Sequence, residues 1–287
     1  MKSTKLTAMR FLSRATVATA CAACMACGAD APIRWDPEVR GRGAMVPGAR
    51  MVLTEAGIPA VQVAFEPFRW PDDSLTCAST RVAVPAGGGA QAAVWWRASS
   101  HAGGASPGPD TLFVARTSDG MIWEPPVRVA GAAVRGCRSA PAALAVDSAT
   151  GSVHIGFHGL VAGQVGVGVA RLDPGAVAIS GVALVAPDHL RRLVAIAVRG
   201  DTVAVAHEAS GPDGVTVRLA ISGRKSQLPV DCGSPTGGSA RGFAPVVALA
   251  SGRVAVGWNE ARRGDRMPAA VARVGDIRRA CEPSRRE

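Results

Sequence analysis

Short apolar runs separated by turns that contain Gly and Asp make up most of the chain. The pattern is clearest in residues 111–129, TLFVARTSDGMIWEPPVRV, where two apolar runs flank a Ser-Asp-Gly turn. Asp-Gly between two such runs predicts a β-hairpin, because Gly accepts the positive φ that the turn requires.

A degraded form of this hairpin recurs three more times, within a larger group of strands. Each of the four segments has an apolar first strand, a second strand that closes on an aromatic residue or His, and a third strand holding Val and Arg. The predicted first strands are 81–84, 142–146, 193–196 and 245–249; the second are 92–96, 153–157, 203–207 and 254–258; the third are 114–116, 169–171, 217–218 and 271–273. Three segments add a fourth short strand, at 127–129, 182–185 and 228–230.

The period of this repeat identifies a fold class. The third-strand valines at 114, 169, 217 and 271 are 55, 48 and 54 residues apart. Four strands in about 50 residues are typical of a β-propeller blade, and packing blades in a ring buries faces that a single blade would expose. The sequence therefore predicts an all-β fold, a β-propeller of four-stranded antiparallel blades, as one domain over residues 49–287.

The number of blades depends on how the ring closes. Clear repeats cover about 78–130, 138–186, 190–231 and 241–281, and the last one has no clear fourth strand. Strands predicted at 51–54 and 60–65 are expected to complete the final blade and lock the ring. Four repeats plus this N-terminal contribution predict five blades, with six as the alternative.

Residues 1–27 are expected to be a signal peptide. Four cations precede a small apolar stretch, residues 15–26, which is too short to span a bilayer. With Cys27 followed by Gly-Ala-Asp, the segment resembles a bacterial lipoprotein signal, although Cys24 stands where Leu is usual. The resemblance implies lipidation at Cys27, a membrane contact through the lipid only, and an exposed linker over residues 28–48. Plain cleavage near residues 29–31 is the alternative.

Four cysteines follow the leader: Cys77, Cys137, Cys232 and Cys281. An even number in an exported chain predicts two disulfides, and spacing does not choose among the three possible pairings. No Cys-x-x-Cys pair occurs after the leader, so no metal site is expected, and no sequence motif indicates a cofactor.

The basic charge of the chain is spread widely. The net charge of +10 falls to +6 beyond residue 27, where 28 basic residues face 22 acidic ones, and Lys occurs only three times in the whole chain. A nucleic-acid binder would more often show a clustered basic helix or interleaved aromatic and basic residues. We therefore expect no nucleic-acid partner, and we expect a monomer.

The Ser-Asp-Gly hairpin carries a family resemblance. Residues 117–123, TSDGMIW, are similar to the S-x-D-G-x-T-W pattern of the Asp-box, or BNR-repeat, propellers of the sialidase (neuraminidase) superfamily, with Ile122 where Thr is usual. The equivalent hairpins of the other three repeats are degenerate. The resemblance implies a structural Asp box formed by Ser118, Asp119, Gly120 and Trp123, in which Asp119 ties down the turn and Trp123 packs between strands.

Sialidase chemistry itself is not expected. Sialidases use a Tyr nucleophile, and this chain contains no Tyr. A glycoside hydrolase can instead use two carboxylates, for which Glu208 and Glu260 are the candidates, with Asp110 and Asp265 also near loops. Motifs of other hydrolases and of phosphate-binding loops are absent from the sequence.

The repeat also predicts a candidate ligand face. In a propeller, the loops between second and third strands emerge beside the segments that enter the first strands. Arg precedes each first strand and a polar residue follows each second strand. The predicted ring is Arg81, Arg97, Arg138, His158, Arg191 with Arg192, Glu208, Arg241 and Asn259. Such arginines would resemble the cluster with which sialidases hold a carboxylate, because the planar guanidinium fork binds carboxylate bidentately. The alternative is that these arginines reflect composition and hold neighbouring carbonyls.

These features predict an exported binding or scaffolding module of the bacterial envelope. It would be lipid-anchored, on the periplasmic or outer surface, or secreted if the leader is simply cleaved. Its partner would be a carboxylated glycan or an envelope protein. A glycoside hydrolase or lyase using the same face and a purely structural envelope protein are the alternatives.

Overall fold

The computed structural model describes residues 31–41, 43–45, 49–54, 59–62, 69–71, 77–99, 108–211, 214–223, 226–236, 241–261, 267–279 and 281. The predicted leader, its lipidation at Cys27 and the carboxylate of Asp265 lie outside these residues. No helix within the described ranges is long and apolar enough to cross a membrane.

Nineteen strands and one short 3-10 helix form the described part of the chain. The elements before the first repeat are β1 Ile33–Trp35, β2 Val39–Arg40, β3 Arg50–Leu53, β4 Pro59–Gln62 and η1 Ala78–Thr80. The first two repeats contain β5 Val82–Gly87, β6 Ala90–Arg97, β7 Thr111–Thr117, β8 Val127–Gly131, β9 Ala143–Val146, β10 Val153–Val161, β11 Gln164–Leu172 and β12 Ser180–Pro187. The last two contain β13 Val194–Arg199, β14 Thr202–Gly211, β15 Gly214–Gly223, β16 Ser226–Asp231, β17 Arg241–Ala250, β18 Arg253–Ala261 and β19 Ala269–Ile277.

Most strands pair with their neighbours in sequence, and every pairing is antiparallel. The four-strand groups are β5 to β8, β9 to β12, and β13 to β16, which we call the first, second and third sheets; β17 to β19 belong to the fourth. A single residue pair, Leu160 with Gly131, joins the first two sheets. The predicted all-β, antiparallel fold is therefore confirmed, and β3 with β4 forms a separate hairpin.

The fourth sheet is completed from the N-terminal side of the chain. Strand β1 pairs with β19, with Ile33 opposite Ile277, and β2 pairs with β19 as well. The prediction of an exposed linker over 28–48 is wrong for these strands, because Ile33 is buried against the fourth sheet. The completing strand was also expected later in the chain, at 51–54 or 60–65, where the structure instead has the β3–β4 hairpin.

Apolar side chains fill the spaces between consecutive sheets. Trp96 and Phe157 belong to the core between the first and second sheets, and Val167 and Ile196 to the core between the second and third. Between the third and fourth sheets the core includes Trp258. The second and third sheets are thus covered on both faces, which explains why most of their strands are nearly continuous apolar runs.

Two disulfides join different sheets. Cys77 pairs with Cys137, which ties the segment before the first sheet to the segment before the second. Cys232, just after β16, pairs with Cys281, just beyond β19. The two predicted disulfides are confirmed, and they fit a protein of an oxidising, exported compartment.

Candidate functional site

The predicted site residues lie toward one end of the sheets, which we call the loop face. It carries the ends of the second strands, the beginnings of the third strands and the segments that enter the first strands. The opposite end, the turn face, carries the tight turns between first and second strands and the connections between third and fourth strands. This division follows from the antiparallel order within each sheet.

Three of the predicted polar residues hold the chain at the entrance to the next unit. His158 Nε2 lies 2.9 Å from the Asp188 carbonyl oxygen, in the segment leading to the third sheet. The Asn259 side-chain oxygen accepts a hydrogen bond from the Met45 N–H at 2.7 Å, in the segment leading to β3. Glu208 acts similarly toward the fourth sheet, as described next, so we call these three residues the entry clasps.

Glu208 bridges two sheets through its carboxylate. Oε2 accepts a hydrogen bond from the Leu193 N–H at 3.0 Å, and Oε1 accepts one from the Ala244 N–H at 2.9 Å. Ala244 has a positive φ of 51° at a bulge in β17, a backbone conformation that costs free energy for a residue other than Gly. Both oxygens of this catalytic candidate are therefore used to hold backbone.

Asp110 forms a fourth contact of this kind in the first sheet. Its two carboxylate oxygens accept hydrogen bonds from the Gly136 N–H at 3.1 Å and the Cys137 N–H at 2.9 Å. Cys137 also has a positive φ, of 62°. The sequence analysis considered Asp110 only as a loop carboxylate, because nothing local indicates which backbone it will meet.

Glu260, the second catalytic candidate, is fully buried. Its Oε1 accepts a hydrogen bond from Arg40 Nη1 at 2.7 Å, and the side chain is 1% exposed against 32% for Arg40. Arg40 arrives on the short strand β2, inside the segment expected to be a linker, so no sequence pattern pointed to it. This contact makes Glu260 part of the attachment of the N-terminal segment.

Arg192 is occupied by an ion pair inside the loop face. Its Nε lies 2.6 Å from Asp188 Oδ2, and its Nη2 donates a hydrogen bond to Ser210 Oγ. Burial acts to raise the pKa of Asp188, but the hydrogen bonds from Arg192 and from the Leu190 N–H lower it below its ordinary value. The Asp188 side chain is therefore a carboxylate that neutralises Arg192.

Burial lowers the pKa of the neighbouring histidine. The His158 side chain is largely buried, and removing the imidazolium from water outweighs its interaction with Asp188. His207, which occupies the aromatic position of its repeat, also has a pKa lowered by burial, and its Nδ1 lies 3.0 Å from the Glu208 carbonyl oxygen. Both rings are neutral near pH 7 and serve as packed, hydrogen-bonded residues.

Two predicted arginines stack on aromatic rings. Arg81 Cζ lies 5.1 Å from the centroid of a Trp70 ring, and Arg97 Cζ lies 4.3 Å from that of Phe113. Both contacts are within the range of cation–π attraction. Arg81 thereby meets the segment that precedes the first sheet, whereas Arg97 packs within that sheet, on the neighbouring strand β7.

The remaining predicted arginines, Arg138 and Arg241, are exposed on the loop face. Arg191, predicted together with Arg192, is exposed there as well, and the structure adds Arg135, two positions before Cys137. Within the described ranges, no hydrogen-bonding or ionic partner lies beside the side chains of Arg135, Arg138 or Arg191. The loop face thus combines internally bonded carboxylates with exposed guanidinium groups.

Three arginines toward the turn face, one of them the buried Arg116, are ion-paired. Contacts of 2.5–3.0 Å join Arg171 to Asp173, Arg116 to Glu124, and Arg253 to both Asp36 and Asp276. Arg199 and Arg278 at the same end are exposed without a side-chain partner among the described residues, so exposed unpaired arginines occur at both ends of the sheets.

The Ser-Asp-Gly hairpin lies on the turn face. Asp119 Oδ1 accepts hydrogen bonds from the Met121 N–H at 2.8 Å, the Ile122 N–H at 2.9 Å and the Thr117 hydroxyl at 2.8 Å. These hydrogen bonds lower the pKa of Asp119, and the one from the Ile122 N–H has the largest effect. Gly120 supplies the positive φ, 73°, that the turn needs. The Asp119 carboxylate is therefore occupied within the hairpin.

Trp123 joins this hairpin to the N-terminal segment. Its Nε1 donates a hydrogen bond to the Arg69 carbonyl oxygen at 2.6 Å, and the ring packs with Trp70 against the cluster that contains the buried Trp95.

Among the described residues, no three His, Cys, Asp or Glu side chains come together as metal ligands.

Comparisons with known proteins place the chain in no family. No family model matches it, and no curated protein matches it. Similar solved structures include a protein of unknown function from Dyadobacter fermentans (14% identity, TM-score 0.43, 65% of this chain and 50% of that one). The endosialidase of phage phi92 is 9% identical, with a TM-score of 0.41 over 70% of this chain and 35% of that one. A GH43 protein from Bacillus licheniformis is 8% identical, with a TM-score of 0.44 over 82% of this chain and 54% of that one. The chain spans about a third to a half of these three proteins.

Proposed function

We propose that the chain is an exported, lipid-anchored β-propeller of five blades that binds an acidic glycan on its loop face without cleaving it. Four blades are the four sheets, and the β3–β4 hairpin contributes the fifth. The packing on both sides of this hairpin's segment supports the ring: Met51 of β3 contacts Val246 and Ala248 of the fourth sheet, and Trp70 lies against the first.

The observation that carries the ligand proposal is that three exposed arginines without partners enter the loop face together: Arg135, Arg138 and Arg191. The carboxylates near them are already bonded, Asp110 to backbone N–H groups and Asp188 to Arg192. Free guanidinium groups suit a ligand with carboxylates, since each can bind one bidentately. Several such groups around one face also attract anions over a distance that depends on salt.

A glycan-array experiment on the chain from Asp30 tests this proposal. Acidic glycans should be captured at low salt and less strongly at physiological salt. Arg138→Ala and Arg191→Ala should each reduce capture at least fivefold. The matched control is Arg199→Ala, because Arg199 is exposed at the opposite end of β13.

The outcomes separate three roles. If Arg199→Ala weakens glycan capture as much as Arg138→Ala does, the assignment of the ligand to the loop face is contradicted. No capture of acidic glycans under either salt condition rejects glycan binding, and the envelope-protein or purely structural role then takes its place.

A glycoside hydrolase or lyase is the second candidate. The observation in its favour is that Glu208 and Glu260, the two carboxylates predicted for it, are both buried toward the loop face. Turnover of a glycan by the purified chain, abolished by Glu260→Gln at unchanged thermal stability, would support this reading over binding alone. Turnover that persists in Glu208→Gln and Glu260→Gln would assign the activity to other residues.

A further inference from the structure

Exposed apolar side chains project from the connections of the turn face. Met121 and Ile122 in the Ser-Asp-Gly hairpin are 57% and 77% exposed, and Val177 in the equivalent connection of the second sheet is 91% exposed. The backbone of the hairpin is held by Asp119, so its apolar tip is presented on a fixed turn. Such side chains on adjacent sheets form a surface that favours an apolar neighbour.

The carboxylates beside these tips are paired within the fold. Glu124 pairs with Arg116 beside the first tip, and Asp173 pairs with Arg171 beside the second. Arg69, whose carbonyl oxygen meets Trp123, and Arg128 of β8 are exposed and have no such pair among the described residues. A neighbour at this surface would therefore meet apolar tips with exposed guanidinium groups beside them.

The N-terminal chain enters the fold at the same face. Strand β19 runs from the loop face to the turn face, and antiparallel β1 begins with Ile33 opposite Ile277, the last residue of β19. Cys27 precedes Ala31, the first described residue, by only four positions. Four extended residues reach roughly 14 Å at most, so a lipid on Cys27 would hold the turn face close to a membrane.

We propose that the turn face rests on the lipid bilayer, with Met121, Ile122 and Val177 entering its interfacial region. This proposal rests on the proposed function, namely the propeller ring and the lipid anchor at Cys27. The loop face with Arg138 and Arg191 then points away from the membrane and is open to a glycan. Met267 and Leu190 are also exposed, but on the loop face. Exposed apolar side chains therefore do not show which face meets the membrane. The choice of the turn face rests on where the N-terminal chain enters the fold.

Two methionines on opposite faces make the orientation measurable. The full lipidated chain in phospholipid vesicles would be treated with peroxide, and oxidation of Met121 and Met267 would be followed by mass spectrometry. The reference is the chain from Asp30 in buffer without vesicles, where both methionines should react. On vesicles we expect Met121 oxidation to slow at least fivefold relative to Met267. An unchanged ratio, protection of Met267 instead, or a chain that vesicles do not retain would overturn the proposal.

Substitutions sharpen the same experiment. Ile122→Asp combined with Val177→Asp should restore Met121 oxidation on vesicles. Leu190→Asp, at an exposed apolar position of the loop face, should not. The reverse result would overturn the proposal. Because the contact is apolar, the protection should persist at high salt, whereas glycan capture should not. Glycan capture measured on the same vesicles reports separately on the loop face, so loss of one result does not imply loss of the other.

Discussion

Arg40 Nη1 lies 2.7 Å from Glu260 Oε1, so a residue of the N-terminal segment meets a fully buried carboxylate 220 positions later in the chain. The same N-terminal segment supplies β1 as the outer strand of the fourth sheet, and Asn259, next to Glu260, holds Met45. Attachment of the N-terminal segment therefore depends on neighbouring polar residues of β18. If the sheets form a ring, these contacts close it.

We predict that Arg40→Ala lowers the free energy of unfolding by about 2–3 kcal/mol, because it removes the guanidinium partner of a buried carboxylate. Thermal unfolding of the wild type and the variant measures the effect. The control is Arg253→Ala, whose ion pairs with Asp36 and Asp276 are solvated; surface pairs contribute about 0–1 kcal/mol. Equal losses for the two variants would contradict the role of the Arg40–Glu260 contact.

The Glu208→Gln variant tests whether Glu208 holds the backbone as an entry clasp or acts as a catalytic residue. The substitution replaces one carboxylate oxygen with an NH2 group that faces a backbone N–H of Leu193 or Ala244, so we expect a loss of about 1–3 kcal/mol of stability. Asn259→Ala should behave similarly, because it leaves the Met45 N–H without its acceptor. Denaturant unfolding and a glycan-turnover assay are the two measurements. A variant with unchanged stability and abolished turnover would show that Glu208 is catalytic.

The strands and their grouping could be predicted from local patterns, whereas the bonding of the site could not. Apolar runs, Gly-containing turns and the 48–55-residue spacing are properties of neighbouring residues, and they located β5 to β19 closely. The Ile33–Trp35 strand has no such pattern, since three residues gain stability only by pairing with β19. Ala244, Met45 and Arg40, which contact Glu208, Asn259 and Glu260, lie 36, 214 and 220 positions away in the chain. The sequence therefore showed polar residues at equivalent positions without showing what they bind.

Stability should fall as the pH is lowered below about 6.5. Burial lowers the pKa values of His154, His158 and His207 from their ordinary value of 6.5, so the unfolded chain binds more protons than the folded chain below that pH. The stabilisation is fully present above the unfolded pKa and is lost as the pH falls through the folded pKa.

His158→Gln tests this linkage. Its amide can still donate a hydrogen bond toward the Asp188 carbonyl oxygen, and it does not titrate, so the variant should lose less stability than the wild type between pH 7 and pH 5. Thermal unfolding across this range measures the slope. A variant whose slope equals or exceeds that of the wild type would contradict the contribution of His158.

The two disulfides should contribute separately to stability. They close segments with separations of 60 and 49 residues, for which the loss of chain entropy in the unfolded state corresponds to roughly 4 kcal/mol each. Replacing Cys77 and Cys137 by Ser, or Cys232 and Cys281 by Ser, should therefore lower the denaturation midpoint, and the combined loss should be close to additive because the bonds join different sheets.

Reductant supplies the control for this prediction. It should lower the midpoint of the wild type and of each paired variant, but it should leave a variant lacking all four cysteines unchanged. If reductant does not alter the wild-type midpoint, the bonds add no stability, and packing between the sheets alone holds Cys77 beside Cys137 and Cys232 beside Cys281.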